Sequence, residues 1–252
     1  MNLIEYLKAV PKAALAFSGG VDSSYLLYAA KEARCAVMPY YVRTAFQPEF
    51  ELQDALQISE LLQVPVRILE LDVLQHTEVA ANPSNRCYYC KKVIFGEILR
   101  AARADGYEVL FDGNNASDDA GDRPGMRAAK ELQVRSPLRE CGLTKEEIRR
   151  LSKEAGLFTW KKPAYACLAT RIPTGTLIDE ETLRKVERAE TFLMQAGFSD
   201  FRVRVLGSAA KLQLPAEAFE RLIADREQIF KALCADFSDI LLDLKPRGKE
   251  NG

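Results

Sequence analysis

Two groups of residues in this 252-residue chain carry chemistry on their face. The first is the run Ser18-Gly19-Gly20-Val21-Asp22-Ser23-Ser24. Two adjacent glycines let a backbone turn sharply and lie close to a ligand. A helix starting just after them offers unpaired N–H groups and the positive end of its dipole to an anion. The hydroxyls of Ser18, Ser23 and Ser24 add donors, so the run reads as an anion cradle. It lacks the Gly-Lys-Ser/Thr of a Walker loop and is not Gly-x-Gly-x-x-Gly. Its plain alternative is a Gly-Gly turn with a capped helix. The second group is cysteine: Cys87-Tyr88-Tyr89-Cys90-Lys91-Lys92 at a helix start, and Cys167 in the loop Pro163–Arg171. A helix N-terminus with two lysines favours thiolates. A lone C-x-x-C fits a redox pair, half a zinc site or two ordinary thiols. Because His76 is the single histidine, three thiols without an obvious fourth ligand suit an iron–sulfur cluster with one open iron. Cys35 and Cys234 end apolar helical stretches and read as small buried hydrophobes, and Cys141 as incidental.

The elements that must position these groups follow from periodicity. Apolar runs at 13–17, 36–42, 66–71 and 108–111 read as strands. They alternate with helical patterns at 22–34, 48–62 and 88–104, and this order predicts βαβ units with a parallel sheet. A Thr-x-x-Glu capping box at Thr144 and Glu147 opens a helix to 155. The polar segment 114–139 reads as active-site loops around a short helix, and 158–176 as another loop, long for a connector, of the kind that is usually functional or mobile. After Gly175 the rhythm changes. A helix over 179–196 stopped by Gly197, strands at 201–206 and 210–214, a helix over 215–234 and a strand at 240–244 give a small α+β unit. The expected division is 1–175 and 176–252.

Composition limits the function. A net charge of −1 weighs against a protein held on nucleic acid by bulk charge. No apolar run reaches membrane-spanning length and Met1–Val10 has no secretory core, so the expected location is the cytoplasm.

The Ser-Gly-Gly-Val-Asp-Ser-Ser run resembles the signature of the PP-loop ATP pyrophosphatase superfamily, which cleaves ATP between the α- and β-phosphates and passes AMP to a substrate oxygen. The resemblance implies an α/β fold: a parallel-sheet PP-loop (adenine nucleotide alpha hydrolase-like) domain with a smaller C-terminal α+β domain. It also implies that Ser18, Gly19, Gly20, Asp22, Ser23 and Ser24 meet pyrophosphate and its Mg²⁺, with Asp112-Gly113-Asn114-Asn115 a second ATP-side element. The stretches Asn85–Phe95, Asp122–Ala129 and Lys162–Gly175 are similar to the LarE family of ATP-dependent sulfur transferases, and the likeness runs from about Leu15 to Leu244. It implies adenylation of a carboxylate of pyridinium-3,5-biscarboxylic acid mononucleotide, and replacement of an oxygen by sulfur to give a thiocarboxylate for the nickel-pincer nucleotide cofactor of lactate racemase. One type of the family sacrifices the sulfur of a single cysteine, in the loop matching Cys167. The other holds a [4Fe–4S] cluster on three cysteines, and Cys87, Cys90 and Cys167 match that pattern.

Activation of the acid as an acyl adenylate makes its carbon open to sulfur. Lys91 and Arg171 are the candidate residues to neutralise phosphate charge. Arg202 and Arg204 share one side of a strand. The family pattern gives them, with Glu190, to the substrate's phosphate at an interface between subunits of a homo-oligomer. Gln213 departs from that pattern, standing where an acidic residue is expected. The rival readings are a tRNA-thiolating or amide-forming enzyme of the same superfamily, and a non-catalytic nucleotide or redox sensor.

Overall fold

The computed structural model describes residues 2–118 and 124–248. The chain forms two compact units: Leu74–Ser84 belongs with the chain from Pro163 onward, and the rest forms the first unit.

In the first unit the order is α1 (Leu3–Lys8), β1 (Lys12–Ala16), α2 (Val21–Glu32), β2 (Ala36–Arg43), α3 (Glu49–Leu62) and β3 (Arg67–Glu70). The chain then enters the second unit, which holds the short helix α4 (Thr77–Ala80). It returns as α5 (Arg86–Ala104), β4 (Leu110–Phe111), α6 (Pro124–Glu131), α7 (Pro137–Glu140) and α8 (Lys145–Glu154). The four strands are parallel in the order β3-β2-β1-β4. Successive residues of β1 face opposite sides, as a strand requires. Ala13 and Leu15 join a core with Leu26, Leu27, Ile58 and Ile148. Ala14 joins another with Tyr40, Phe95, Ile98 and Leu110. A sheet covered on both faces accounts for the continuously apolar β1. The Thr144/Glu147 capping box is present, each side chain bonding the other residue's N–H.

The second unit continues with α9 (Glu180–Gln195), β5 (Arg202–Leu206), β6 (Ala209–Gln213), α10 (Phe219–Ala224), α11 (Arg226–Leu233) and β7 (Ile240–Leu242). Its sheet runs β5-β6-β7, with β5–β6 an antiparallel hairpin and β7 parallel to β6. Gly197, at φ 83°, ends the α9 segment as its sequence implied. The stretch read as one helix over 215–234 is instead a 3₁₀ turn followed by α10 and α11, which part at Asp225.

The division expected near Gly175 falls inside the second unit. Asn82 Nδ2 donates to the carbonyls of Ile172 (3.3 Å) and Pro173 (2.9 Å), and the Gly175 N–H donates back to Asn82 O at 2.8 Å. These bonds join 74–84 to the Cys167 segment, a pairing between distant stretches that periodicity does not register. Among the described residues no helix is long and apolar enough to cross a membrane.

Gly19 has φ 70°, and a Cβ placed on it would lie 2.8 Å from the Ala55 nitrogen of α3. Gly156 has a similar φ of 72° with open space around it. Gly156→Ala is expected to cost about 1 kcal/mol from backbone conformation alone. Gly19→Ala should cost ~3 kcal/mol because α3 must also move. Urea unfolding of both variants checks the difference.

Candidate active site

The loop after β1 opens at the carboxyl edge of the sheet, where β1 and β4 are neighbours although their chain connections run to opposite sides. In open parallel sheets this switch point is the binding crevice. Ser18 Oγ accepts from the Gly20 N–H at 3.3 Å and lies 3.2 Å from Ser23 Oγ, while Ser23 Oγ donates to Gly20 O at 3.3 Å. These bonds fold the loop onto itself. No side-chain hydrogen bond caps α2, and the first N–H groups of a helix have no partner within it. Ser24 is fully buried, and among the described residues its hydroxyl has no hydrogen-bond partner. Gly113, just past β4, closes the other side: a Cβ there would sit 3.1 Å from the Ser23 nitrogen. The structure therefore gathers Ser18, Gly19, Gly20, Asp22, Ser23, Ser24 and Gly113 in one place.

Two carboxylates also sit here. Asp22 meets Lys145 Nζ at 2.6 Å and accepts from Asn115 Nδ2 at 3.3 Å. Burial raises its pKa above the usual carboxylate value, and Lys145 opposes the rise. Asp112 is buried and likewise raised by burial, against the pull of Ser136 (Oγ to Oδ1 2.7 Å) and the charge of Lys91. Lys91 itself lies along Gly125 of α6, where a Cβ would come within 2.9 Å of its Cδ. Sequence reasoning missed Lys145, which starts α8 and is separated from the phosphate loop by more than half of the first unit. The signal was the capped helix start following the polar segment.

Cys87 and Cys90 occupy the first turn of α5, Cys87 exposed and Cys90 partly so. Because α5 leads into β4, its N-terminus belongs to the same carboxyl edge of the sheet. The matching stretch Asp122–Ala129 is only partly visible, since Asp122 and Arg123 lie outside the described residues.

In the second unit Cys167 precedes a single 3₁₀ turn, Leu168–Arg171, and is partly exposed. Arg171 is buried in a two-pronged pair with Glu190, Nε to Oε1 at 2.7 Å and Nη2 to Oε2 at 3.0 Å. Burial works against the Arg171 charge, but the bonds to Glu190 outweigh it and its pKa rises. Arg202 is buried and donates to the carbonyls of Phe201 (2.7 Å) and Ala164 (3.0 Å). Arg204 is partly exposed and donates to Thr170 O at 2.7 Å and to Gln213, whose Nε2 donates to Asp243 at 2.7 Å. Cys167, Arg171, Glu190, Arg202 and Arg204 thus form one cluster. Among the described residues no three Cys, His, Asp or Glu side chains are gathered in a way that could hold a metal ion.

A parallel sheet in 3-2-1-4 order with a Ser-Gly-Gly-x-Asp-Ser-Ser loop at its switch point defines a PP-loop ATP pyrophosphatase. The chain matches no protein-family model. It is 36% identical to an uncharacterised protein of Synechocystis over 226 residues, 89% of this chain and 84% of that one. It is 29% identical to the pyridinium-3,5-bisthiocarboxylic acid mononucleotide synthase of Lactiplantibacillus plantarum, over 96% of this chain and 89% of that one. A tRNA-specific 2-thiouridylase of Clostridium botulinum is 27% identical over 59% of this chain and 51% of its own length. The chain belongs to the LarE-type family of ATP-dependent sulfur transferases.

The Asp22–Lys145 pair is testable by a double-mutant cycle. Asp22→Asn with Lys145→Gln should show a coupling of about 1–2 kcal/mol in urea unfolding, since both groups are largely removed from solvent. A coupling near zero would remove Lys145 from the site.

Proposed function

We propose that this chain adenylates a carboxylate of pyridinium-3,5-biscarboxylic acid mononucleotide and replaces one of its oxygens with sulfur. The likeness to the Lactiplantibacillus plantarum synthase, which spans 246 residues and so includes both units, carries this reading. ATP is the nucleotide for the phosphate loop. The α2 N-terminus, the loop hydroxyls and Lys91 would receive the β- and γ-phosphates, with Asp22 the carboxylate for the accompanying Mg²⁺. The substrate carboxylate oxygen then attacks the α-phosphorus, the bond to the β-phosphate oxygen breaks and pyrophosphate leaves. A sulfur nucleophile attacks the acyl carbon and AMP departs with its bonding pair. In the second unit Arg204, the partly exposed arginine of the pair, is the donor for the substrate's phosphate, with Arg202 and Glu190 beneath it.

Cys87, Cys90 and Cys167 are the sulfur-handling residues of the proposal. A [4Fe–4S] cluster would use all three as ligands. The other source is the Cys167 sulfur itself, which attacks as thiolate and forms a thioester. Loss of a Cα proton then breaks the Cβ–S bond, leaving dehydroalanine in the chain and the thiocarboxylate on the substrate. We place the enzyme in the cytoplasm, consistent with the absence of disulfides among its described cysteines. We assign it to an assembly of several copies, as the family likeness implies.

The partial likeness to a tRNA thiolase supports a second reading, a tRNA substrate. A gel shift with bulk tRNA at physiological salt separates the two.

Cys167→Ser should abolish thiocarboxylate formation while carboxylate-dependent pyrophosphate release continues. Loss of both activities together in a folded variant would overturn the assignment. In the wild type, iron and sulfide bound after anaerobic purification identify the cluster source. Mass loss of one hydrogen sulfide at Cys167 after a turnover identifies the sacrificial one.

A further inference from the structure

The second unit surrounds Cys167 with more fixed polar contacts than a surface loop needs. On its N-terminal side, Arg202 Nη2 donates to Ala164 O at 3.0 Å and Arg171 Nη1 to Ala166 O at 2.9 Å. On its C-terminal side, Arg204 Nη1 donates to Thr170 O at 2.7 Å. The Cys167 carbonyl itself accepts from Thr170 twice, from the N–H at 3.0 Å and from Oγ1 at 2.9 Å. Arg171 Nη1 reaches Thr170 Oγ1 at 2.7 Å and so fixes the hydroxyl that makes the second of these bonds.

The Arg171 contacts rest on one carboxylate. Glu190 is 1% exposed and binds Arg171 with both oxygens. It also accepts from the Val203 N–H at 2.8 Å and from the Tyr165 hydroxyl. The Tyr165 ring in turn lies under Arg171 and Arg202, at 4.7 Å and 5.5 Å from its centroid. A fork-on-carboxylate pair fixes direction as well as distance, because both partners are planar. Cys167 stays partly exposed while Leu168, Ala169 and Arg171 behind it are buried. The result is a reachable sulfur on a backbone tied down on both sides.

We propose that Arg171, locked on Glu190, is the positioning residue for Cys167, and that the pair fixes the loop from which sulfur is delivered. Sulfur transfer gains from holding the reacting atoms in line, and a small displacement of the loop is enough to lose it. This rests on the sulfur-transfer reading above. It assigns the pair to the loop rather than to direct contact with the substrate's phosphate.

Glu190→Gln keeps the shape of the side chain but removes the charge, and Arg171→Lys keeps the charge but removes the fork. Tyr165→Phe is the milder third variant, losing only one hydrogen bond to Glu190. Two quantities are measured in each: amide exchange at 164–172 with α2 as internal control, and thiocarboxylate formed per pyrophosphate released. In Glu190→Gln and Arg171→Lys, exchange at 164–172 should quicken at least tenfold while α2 is unchanged. The product ratio should fall at least tenfold, with Tyr165→Phe intermediate in both. A variant that is merely less well folded loses both products together and leaves the ratio intact. Unchanged exchange, or faster exchange with an unchanged ratio, overturns the proposal. If the wild type forms no thiocarboxylate, the function assigned above is at fault, while the exchange measurement still decides whether the pair holds the loop.

Discussion

The first unit is organised around a backbone that packs tightly against its neighbours at two glycines. Gly19 lies against the main chain of α3, and Gly113 against the nitrogen of Ser23 at the start of α2. Together they bring the ends of β1 and β4 within reach of one small anion. That closeness has an electrostatic consequence. The same edge of the sheet carries Asp22 and Asp112, both penalised by burial when charged. Carboxylates in such a place need cations of their own. Lys145 supplies one by direct contact and Lys91 the other through its field, while Ser136 and Asn114 donate hydrogen bonds to Asp112. The anion site is therefore preorganised by charge as well as by shape.

Much of this was legible in the sequence because it is local. The phosphate loop, the C-x-x-C pair at a helix start and the Thr144 capping box each occupy a few consecutive residues, and each takes the local form its residue types imply. The parallel sheet was legible too, since β1 is apolar on both faces and its neighbours alternate with helices. Contacts that join distant stretches were not legible. Nothing near Lys145 names Asp22 as its partner, and nothing near Asn82 indicates that its carbonyl receives the Gly175 N–H. The break at Asp225 escaped for another reason: apolar spacing continues through it, and only the backbone changes direction.

The arginines of the second unit show how a correct grouping can carry an ambiguous role. Their spacing placed Arg202 and Arg204 on one side of β5, and both do meet the Cys167 segment. Sequence cannot tell an arginine that waits for a phosphate from one already satisfied by carbonyls, because the residue types are identical. Both arginines already donate to main-chain carbonyls, and they differ in burial. Arg202 is almost wholly enclosed and bonded to main-chain oxygens, whereas Arg204 keeps part of its surface.

A buried ion pair is a costly way to gain stability, because removing both charges from water offsets most of their attraction. Two apolar side chains of similar volume would hold α9 against the 3₁₀ turn about as well. They would not fix the direction of the turn, however, nor hold the three acceptors Ala166 O, Cys167 O and Thr170 Oγ1 in register around a single residue. What Arg171 and Glu190 add is orientation, and the residue whose backbone they orient is Cys167. In the reaction proposed above, orientation would matter because the sulfur must meet one carbon of an activated acid before water does. That requirement accounts for placing two of the unit's most buried charges directly behind a cysteine that remains open to its surroundings.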